Sequence, residues 1–112
     1  MTKKMIKNFP AATPVTFRYE VDYAEGQVVS KTLAQNPAVS VTLFAFDKDE
    51  EISTHASHGD ALVQCLEGIG RIRIEDQEFT VKEGESILMP AEKEHSVYAL
   101  ERFKMLLVVV FP

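Results

Sequence analysis

Short runs of β-branched and aromatic residues recur along this chain, and clusters of turn-forming residues separate them. The run VSVTLFAF spans residues 39–46 and stops at an acidic cluster, residues 47–51. The run RIRIE at 71–75 alternates strictly, which places Ile72 and Ile74 on one face of a strand and the arginines on the other. Many short strands with turns between them are typical of an antiparallel sandwich or barrel. The sequence therefore predicts an all-β fold.

A single domain is expected, because 112 residues are enough to bury one hydrophobic core but not two. We place the barrel at residues 26–112. Residues 1–25, with Pro10, Pro14 and mixed polarity, are interpreted as an N-terminal arm that packs on the barrel or on a partner. The segment 17–24 is the one helix candidate, although it has little apolar periodicity.

Charge and composition argue against several classes of partner. The formal net charge is −5 and the pI is about 5.1, so there is no basic stripe to neutralise the phosphates of a nucleic acid. The longest apolar run, residues 105–111, is too short to cross a membrane, and the N-terminal residues lack the apolar core of a secretory signal. Cys65 is the single cysteine and has no intramolecular disulfide partner, which favours a cytoplasmic location.

Two segments resemble the signature motifs of the cupin superfamily. They are THASHGDALVQCLEG at residues 54–68 and GESILMPAEKEHSVYA at residues 84–99. The spacing of the motif positions is preserved, and these positions fall on His55, Gly68, Gly84, Pro90, Glu92, His95 and Ala99. The resemblance covers roughly residues 39–111 and implies a double-stranded β-helix, or jelly-roll, barrel.

The same resemblance implies a metal site, but one that lacks ligands. In the superfamily two histidines, a glutamate and a later histidine bind one divalent metal inside the barrel. Here His55 and His95 match, whereas Ser57 stands at the second histidine, Ala61 at the glutamate and Asp49 at the leading glycine. A site for iron, manganese, nickel or zinc normally takes three or more protein donors. The implied cofactor is one such metal, held by an incomplete set.

His58 is the candidate for a replacement ligand. Strict strand alternation puts residues 55 and 58 on opposite faces, which argues against it. Gly59 and Asp60 follow directly and indicate a break or bulge, which can re-aim a side chain. Two interpretations stay open: a metal set of His55, His58 and His95, or a surface histidine in a loop.

Four residues of the first segment are interpreted as the lining of a ligand pocket: Ser57, Ala61, Val63 and Cys65. Cys65 has the same strand parity as Ala61 and Val63, so all three point into the barrel. A cysteine there is a soft ligand, a catalytic thiolate or an inert small hydrophobe, and the last is the commonest role of a buried cysteine.

Two further clusters carry weaker signals. Arg71 and Arg73 would bind an anionic ligand if their face were the pocket, but Ile72 and Ile74 are the better candidates for the core face. The acidic run at 47–51 lacks the alternating carboxylates and central glycine of a calcium loop, so it is interpreted as a solvated turn.

Two functions of different classes follow. The chain is a cupin barrel that binds a small molecule beside a degenerate metal site, or it is a metal-dependent enzyme of the dioxygenase, isomerase or lyase type acting on a small polar organic substrate. The number of metal ligands discriminates between them. Small cupins often pair, sometimes through their N-terminal strands, so the resemblance also implies a homodimer.

Overall fold

The computed structural model describes residues 4–112, and across this range the protein is built from strands. The strands are β1 (Val28–Gln35), β2 (Val39–Phe46), β3 (Glu51–His55), β4 (Asp60–Glu67), β5 (Ile69–Ile74), β6 (Gln77–Lys82), β7 (Ser86–Met89), β8 (His95–Ala99) and β9 (Phe103–Val110). The helix candidate at 17–24 is reduced to a single 3-10 turn, Phe17–Tyr19. Among the described residues, no helix has the length and apolarity needed to cross a membrane.

The strands form two antiparallel sheets that face each other. One sheet has the order β1-β2-β9-β4-β7 and the other has the order β3-β8-β5-β6. Strands that are distant in sequence, such as β2 and β9, lie side by side, as expected when a chain winds back and forth between two sheets. The predicted all-β jelly-roll barrel is confirmed.

The core lies between the two sheets and is supplied by alternate residues of each strand. Ile72 is fully buried, while Arg71 and Arg73 on either side of it face outward, as the alternation in this segment predicts. The rings of Phe46 and Phe103, both fully buried, meet with their centroids 5.5 Å apart. Burial of such apolar surface is the main stabilising contribution to a barrel of this size.

The described part of the arm, residues 4–25, lies against the outer face of the five-stranded sheet. The Lys7 backbone N–H donates to the Leu33 carbonyl at 2.8 Å, and the Lys104 ammonium donates to the Arg18 carbonyl at 2.6 Å. Val21 of the arm is buried in a second apolar cluster with Leu33, Leu43 and Ala45. The arm therefore covers part of a sheet face that would otherwise expose apolar side chains.

Several turns in or just before the two motif segments have left-handed backbone conformations. Gly68 has φ +82°, and a Cβ placed there would lie 1.7 Å from the Arg102 carbonyl oxygen. Asp49 and Glu92 stand where the motifs have glycine, yet they adopt φ +70° and +68°. A non-glycine residue in this region costs about 1–2 kcal/mol. The turn conformation is thus present even where the glycine is not.

Candidate functional site

A cavity of about 520 Å3 lies between the two sheets, within the size range of small-molecule pockets. Most of its wall is apolar and comes from Phe44, Ile52, Ala56, Ala61, Met89, Val97, Met105, Leu107, Val109 and Phe111. The polar side chains on its wall are Gln35, Ser40, His55, Ser57, His58 and His95. Small organic molecules typically bind in mostly apolar cavities that carry a few polar groups.

Two of these polar residues form a close pair. Strand β3 ends at His55, β8 begins at His95, and the register places the two residues directly opposite each other. Their Nε2 atoms are 3.2 Å apart and their rings meet at an interplanar angle of 73°. His95 is buried, whereas His55 is exposed on the cavity side. The structure therefore brings together the two histidines that match the motifs.

The backbone fixes which nitrogen of each ring carries the proton. His55 Nδ1 lies 2.9 Å from the Ser53 carbonyl oxygen, and His95 Nδ1 lies 3.2 Å from that of Lys93. A carbonyl oxygen only accepts, so each Nδ1 is the donor and each neutral ring presents an unprotonated Nε2. Two lone pairs that face each other at 3.2 Å are stabilised by a shared proton, a cation or a donor on a ligand.

Burial of the His95 ring lowers its pKa below the ordinary value of 6.5, and the neighbouring His55 lowers the pKa further. Desolvation disfavours the charged imidazolium, and a second positive charge beside it would be repelled. At neutral pH the His95 ring is therefore neutral, and its Nε2 is an acceptor.

The distance between the two Nε2 atoms suits a metal, but the set of donors does not. Metal–nitrogen bonds of about 2.0–2.1 Å place two tetrahedral ligand atoms roughly 3.3 Å apart, close to the 3.2 Å between His55 and His95. Over residues 4–112, however, no group of three or more His, Cys, Asp or Glu side chains is arranged to hold a metal ion. The described residues therefore do not make the three-donor or four-donor site that the family resemblance implies.

His58 is placed at the edge of the cavity. Residues 56–59 leave the sheet between β3 and β4, and the His58 ring is 87% exposed. Its Nδ1 donates to Glu92 Oε1 at 2.8 Å, which holds the ring toward the β7–β8 loop. The structure does not group His58 with His55 and His95, because the chain breaks from the sheet here instead of bulging inward.

The four residues interpreted as pocket lining separate into two pairs. Ser57 and Ala61 line the cavity, whereas Val63 and Cys65 lie outside it, in the core with Ile72. The predicted lining set therefore divides between the cavity wall and the core beside it. Strand parity fixes the face that a side chain takes, but it does not fix how far along the barrel the cavity extends.

Cys65 has the environment of a structural cysteine. Its side chain is 1% exposed, and its sulfur lies 3.5 Å from the Gly68 carbonyl oxygen. Burial raises the pKa of the Cys65 thiol to about 11, so it is protonated at neutral pH. Nucleophilic and metal-binding chemistry both need the thiolate, which this site disfavours.

Gln35 and Ser40 are cavity residues that the sequence reasoning did not identify. They are direct partners in the β1–β2 pairing, on either side of the turn at Asn36 and Pro37. The sequence predicts the turn at Asn36 and Pro37, and such a turn brings the residues on either side of it together. Which face of that hairpin meets the cavity depends on packing between the sheets, and the local pattern does not specify it.

This chain is similar to a known protein family and to several solved structures. A family model described as a cupin domain matches residues 42–111. The crystal structure of a conserved protein of unknown function from Streptococcus pyogenes is 40% identical, with a TM-score of 0.97, over 100% of this chain and 98% of that chain. A cupin superfamily protein from Desulfitobacterium hafniense is 32% identical, with a TM-score of 0.91, over 96% of this chain and 98% of that chain.

A third similar structure is longer. A cupin 2 conserved barrel domain protein from Leptotrichia buccalis is 41% identical over 83% of this chain and 45% of that chain, with a TM-score of 0.81. No curated protein matches this chain.

Proposed function

Because this chain belongs to the cupin family, we propose that it binds a small organic molecule inside its barrel, beside a partly degenerate metal site. The observation that carries the proposal is the pair of Nε2 atoms of His55 and His95, 3.2 Å apart, in a cavity whose wall is otherwise mostly apolar. With only two imidazoles, the protein recognises its ligand through hydrogen bonds and apolar contact, without a resident metal.

The histidine pair selects for a ligand with a hydrogen-bond donor. Both Nε2 atoms are acceptors when the rings are neutral, so a hydroxyl or acid group placed between them relieves the facing lone pairs. A phenol, an enol or a protonated carboxylic acid supplies such a group. Ligands that only accept hydrogen bonds leave the pair unsatisfied.

The remainder of the cavity selects for a compact apolar body. Phe44, Met105 and Phe111 belong to its wall, and the thioether of methionine adapts to rings and alkyl chains alike. A volume of about 520 Å3 suits one small ring system or a short branched chain. The ligand class that we propose is therefore a small, largely apolar molecule with one weakly acidic hydroxyl group.

A metal-dependent enzyme is the second candidate, and the 3.2 Å separation of the Nε2 atoms favours it. His55 and His95 would occupy two adjacent positions around iron, manganese, nickel or zinc, which would supply Lewis-acid or oxygen-activating chemistry. Among residues 4–112, no third His, Cys, Asp or Glu side chain is arranged to join them. Under this candidate, ligand binding depends on added metal.

A ligand titration followed by NMR separates these candidates. Phenol and its methyl ether, anisole, are titrated into metal-free protein while the imidazole resonances of His55 and His95 are recorded. We expect phenol to bind at least about tenfold more tightly, because the ether has no donor. The His95→Leu variant should lose this preference, whereas His58→Ala should keep it.

Equal binding of phenol and anisole would contradict the donor-selective site. Binding of phenol that appears only after a divalent transition metal is added would favour the enzyme candidate instead.

The homodimer and the cytoplasmic location stay predictions. The arm leaves three apolar side chains of the five-stranded sheet about half exposed, namely Leu62, Leu88 and Val110 at 47%, 49% and 57%. Leu62 and Leu88 are direct partners on adjacent strands, so they form one surface that a second copy would cover. Light scattering of the wild type and of a Leu62→Glu, Leu88→Glu variant tests this, and an unchanged mass in the variant argues against dimerisation through this face.

A further inference from the structure

The outer face of the four-stranded sheet carries a polar depression of about 320 Å3, on the opposite side of the sheet from the histidine cavity. We call it the arginine trough, and it is lined by Glu51, Ser53, Thr54, Arg71, Arg73, Glu78, Ser96 and Tyr98. The binding function proposed above does not involve any of these side chains. The trough is therefore a separate feature that needs its own explanation.

The two arginines are placed by the alternation of β5. Ile72 between them is fully buried, so Arg71 and Arg73 both emerge on the outer face, about 6.6 Å apart along the strand. Their partners on β8 are Tyr98 and Ser96, respectively. This spacing allows two guanidinium groups to flank one small ligand.

Arg73 is held by a single hydrogen bond. Its Nη2 donates to Thr54 Oγ1 at 2.6 Å, although β8 lies between β5 and β3 in the sheet. The side chain therefore reaches across Ser96. A guanidinium has five N–H donors, and those of Arg73 outside this bond have no hydrogen-bond partner among residues 4–112.

Arg71 is held by a ring and a carboxylate. Its guanidinium carbon lies 4.8 Å from the centre of the Tyr98 ring, and its Nε lies 3.3 Å from Glu78 Oε2. Stacking on an aromatic ring orients the guanidinium plane while its N–H groups at the edge stay available. The ion pair with Glu78 uses Nε, which leaves the two terminal nitrogens without a protein partner in the described part of the chain.

We propose that the arginine trough binds a phosphate group, as inorganic phosphate or as a small phosphate ester. Two guanidiniums and the hydroxyls of Ser53, Thr54 and Ser96 surround the depression, and a tetrahedral dianion has enough acceptor oxygens for all of them. A carboxylate would be satisfied by one arginine alone. Glu51 and Glu78 also line the trough and reduce its net attraction for an anion, so phosphate binding depends on direct hydrogen bonds from the guanidinium groups.

The proposal is tested with inorganic phosphate at constant ionic strength, monitored through the Nε–Hε resonances of the arginines. We expect saturable shifts at Arg71 and Arg73, with affinity at least tenfold lower in both Arg71→Gln and Arg73→Gln. Arg73→Lys should bind phosphate more tightly than Arg73→Gln but less tightly than the wild type, because lysine keeps the charge but not the planar set of N–H donors.

Two controls isolate the trough. Lys82 is an exposed cation on β6 of the same sheet, outside the trough, so Lys82→Gln should leave phosphate binding unchanged. His95→Leu should also leave it unchanged, which separates this test from that of the histidine cavity. Equal phosphate affinity in the wild type and both arginine-to-glutamine variants, or no saturable shift at either arginine, would overturn the proposal. Acetate binding as tight as phosphate binding would overturn the choice of phosphate.

Discussion

The two motif segments of this barrel differ in what they supply. Residues 84–99 provide a buried histidine, His95, at the expected position and present it to the cavity. Residues 54–68 provide His55, but Ala61 lines the cavity where the motif has a glutamate. The second segment keeps its metal-donor histidine, whereas the first has Ser57 and Ala61 at two of its metal-donor positions.

In backbone conformation, by contrast, the two segments are alike. Asp49, just before the first segment, and Glu92 in the second both adopt a left-handed conformation at motif positions for glycine. A turn can therefore form with a non-glycine residue at a cost of about 1–2 kcal/mol, whereas a missing carboxylate or imidazole leaves no donor at all. The comparison teaches that the backbone conformation of a motif can persist where its metal-donor side chains are replaced.

The largest effect is expected at Gly68, which is a motif position and packs closely against the backbone of Arg102. Gly68→Ala should lower the free energy of unfolding by about 3 kcal/mol or more, because its Cβ would overlap the Arg102 carbonyl oxygen at 1.7 Å. Gly84→Ala is the matched control, with a similar φ of +85° and nothing within 4 Å of the new Cβ. It should cost only about 1–2 kcal/mol. Urea denaturation measures both, and equal losses would contradict this account of Gly68.

Donors can be restored to the first segment. Ser57→His combined with Ala61→Glu should raise the affinity for zinc on the order of 100-fold, about 2.7 kcal/mol, because the set grows from two donors to four. Ser57→Asn with Ala61→Gln adds similar bulk with poor donors and serves as the control. Calorimetric titration of chelator-treated protein measures the change. No gain over the control would mean that the cavity does not allow these positions to converge on His55 and His95.

A smaller effect concerns pH and His95. The pKa of His95 is lowered in the folded protein, so the unfolded chain binds more protons as the pH falls below 6.5. This contribution to stability is present above pH 6.5 and is lost as the pH falls through the folded pKa. Thermal unfolding of metal-free wild type should therefore lose more stability between pH 7.5 and 5.5 than His95→Leu does. Parallel curves for the two proteins would show that His95 is not desolvated.

The titration of Asp47 falls outside the pH range of this measurement. A backbone hydrogen bond from Gly26 and the Arg102 side chain lower its pKa below 3.8, so its contribution is lost only in a more acidic range.

The smallest effects are expected at the cavity edge. His58→Ala removes an exposed contact with Glu92 and should change the free energy of unfolding by about 0.5 kcal/mol or less. Glu92→Gly relieves the left-handed backbone but adds freedom to the unfolded chain, so it should fall within about 1 kcal/mol of the wild type. Chemical denaturation measures both variants. A loss of 2 kcal/mol or more in His58→Ala would mean that this histidine has a structural role that its exposure does not indicate.

The sequence predicts the fold well because alternation and turn residues act locally. The outward arginines around Ile72 follow directly from the RIRIE pattern, and the resemblance of the two segments to the cupin motifs implies a shared cavity for His55 and His95. The position of His58 is set by how residues 56–59 leave the sheet, which depends on contacts with the loop that carries Glu92. Such contacts between distant segments leave no periodic signal in the sequence.

Metal content is the most direct test of the claim that this barrel works without a resident metal. Elemental mass spectrometry is applied to protein purified without a histidine tag or chelator, together with thermal unfolding in the presence of iron, manganese, nickel or zinc. We predict far less than one transition metal per chain and little rise in Tm. Close to one metal per chain in the wild type, lost in His95→Ala, would contradict the claim and make the enzyme candidate the better account.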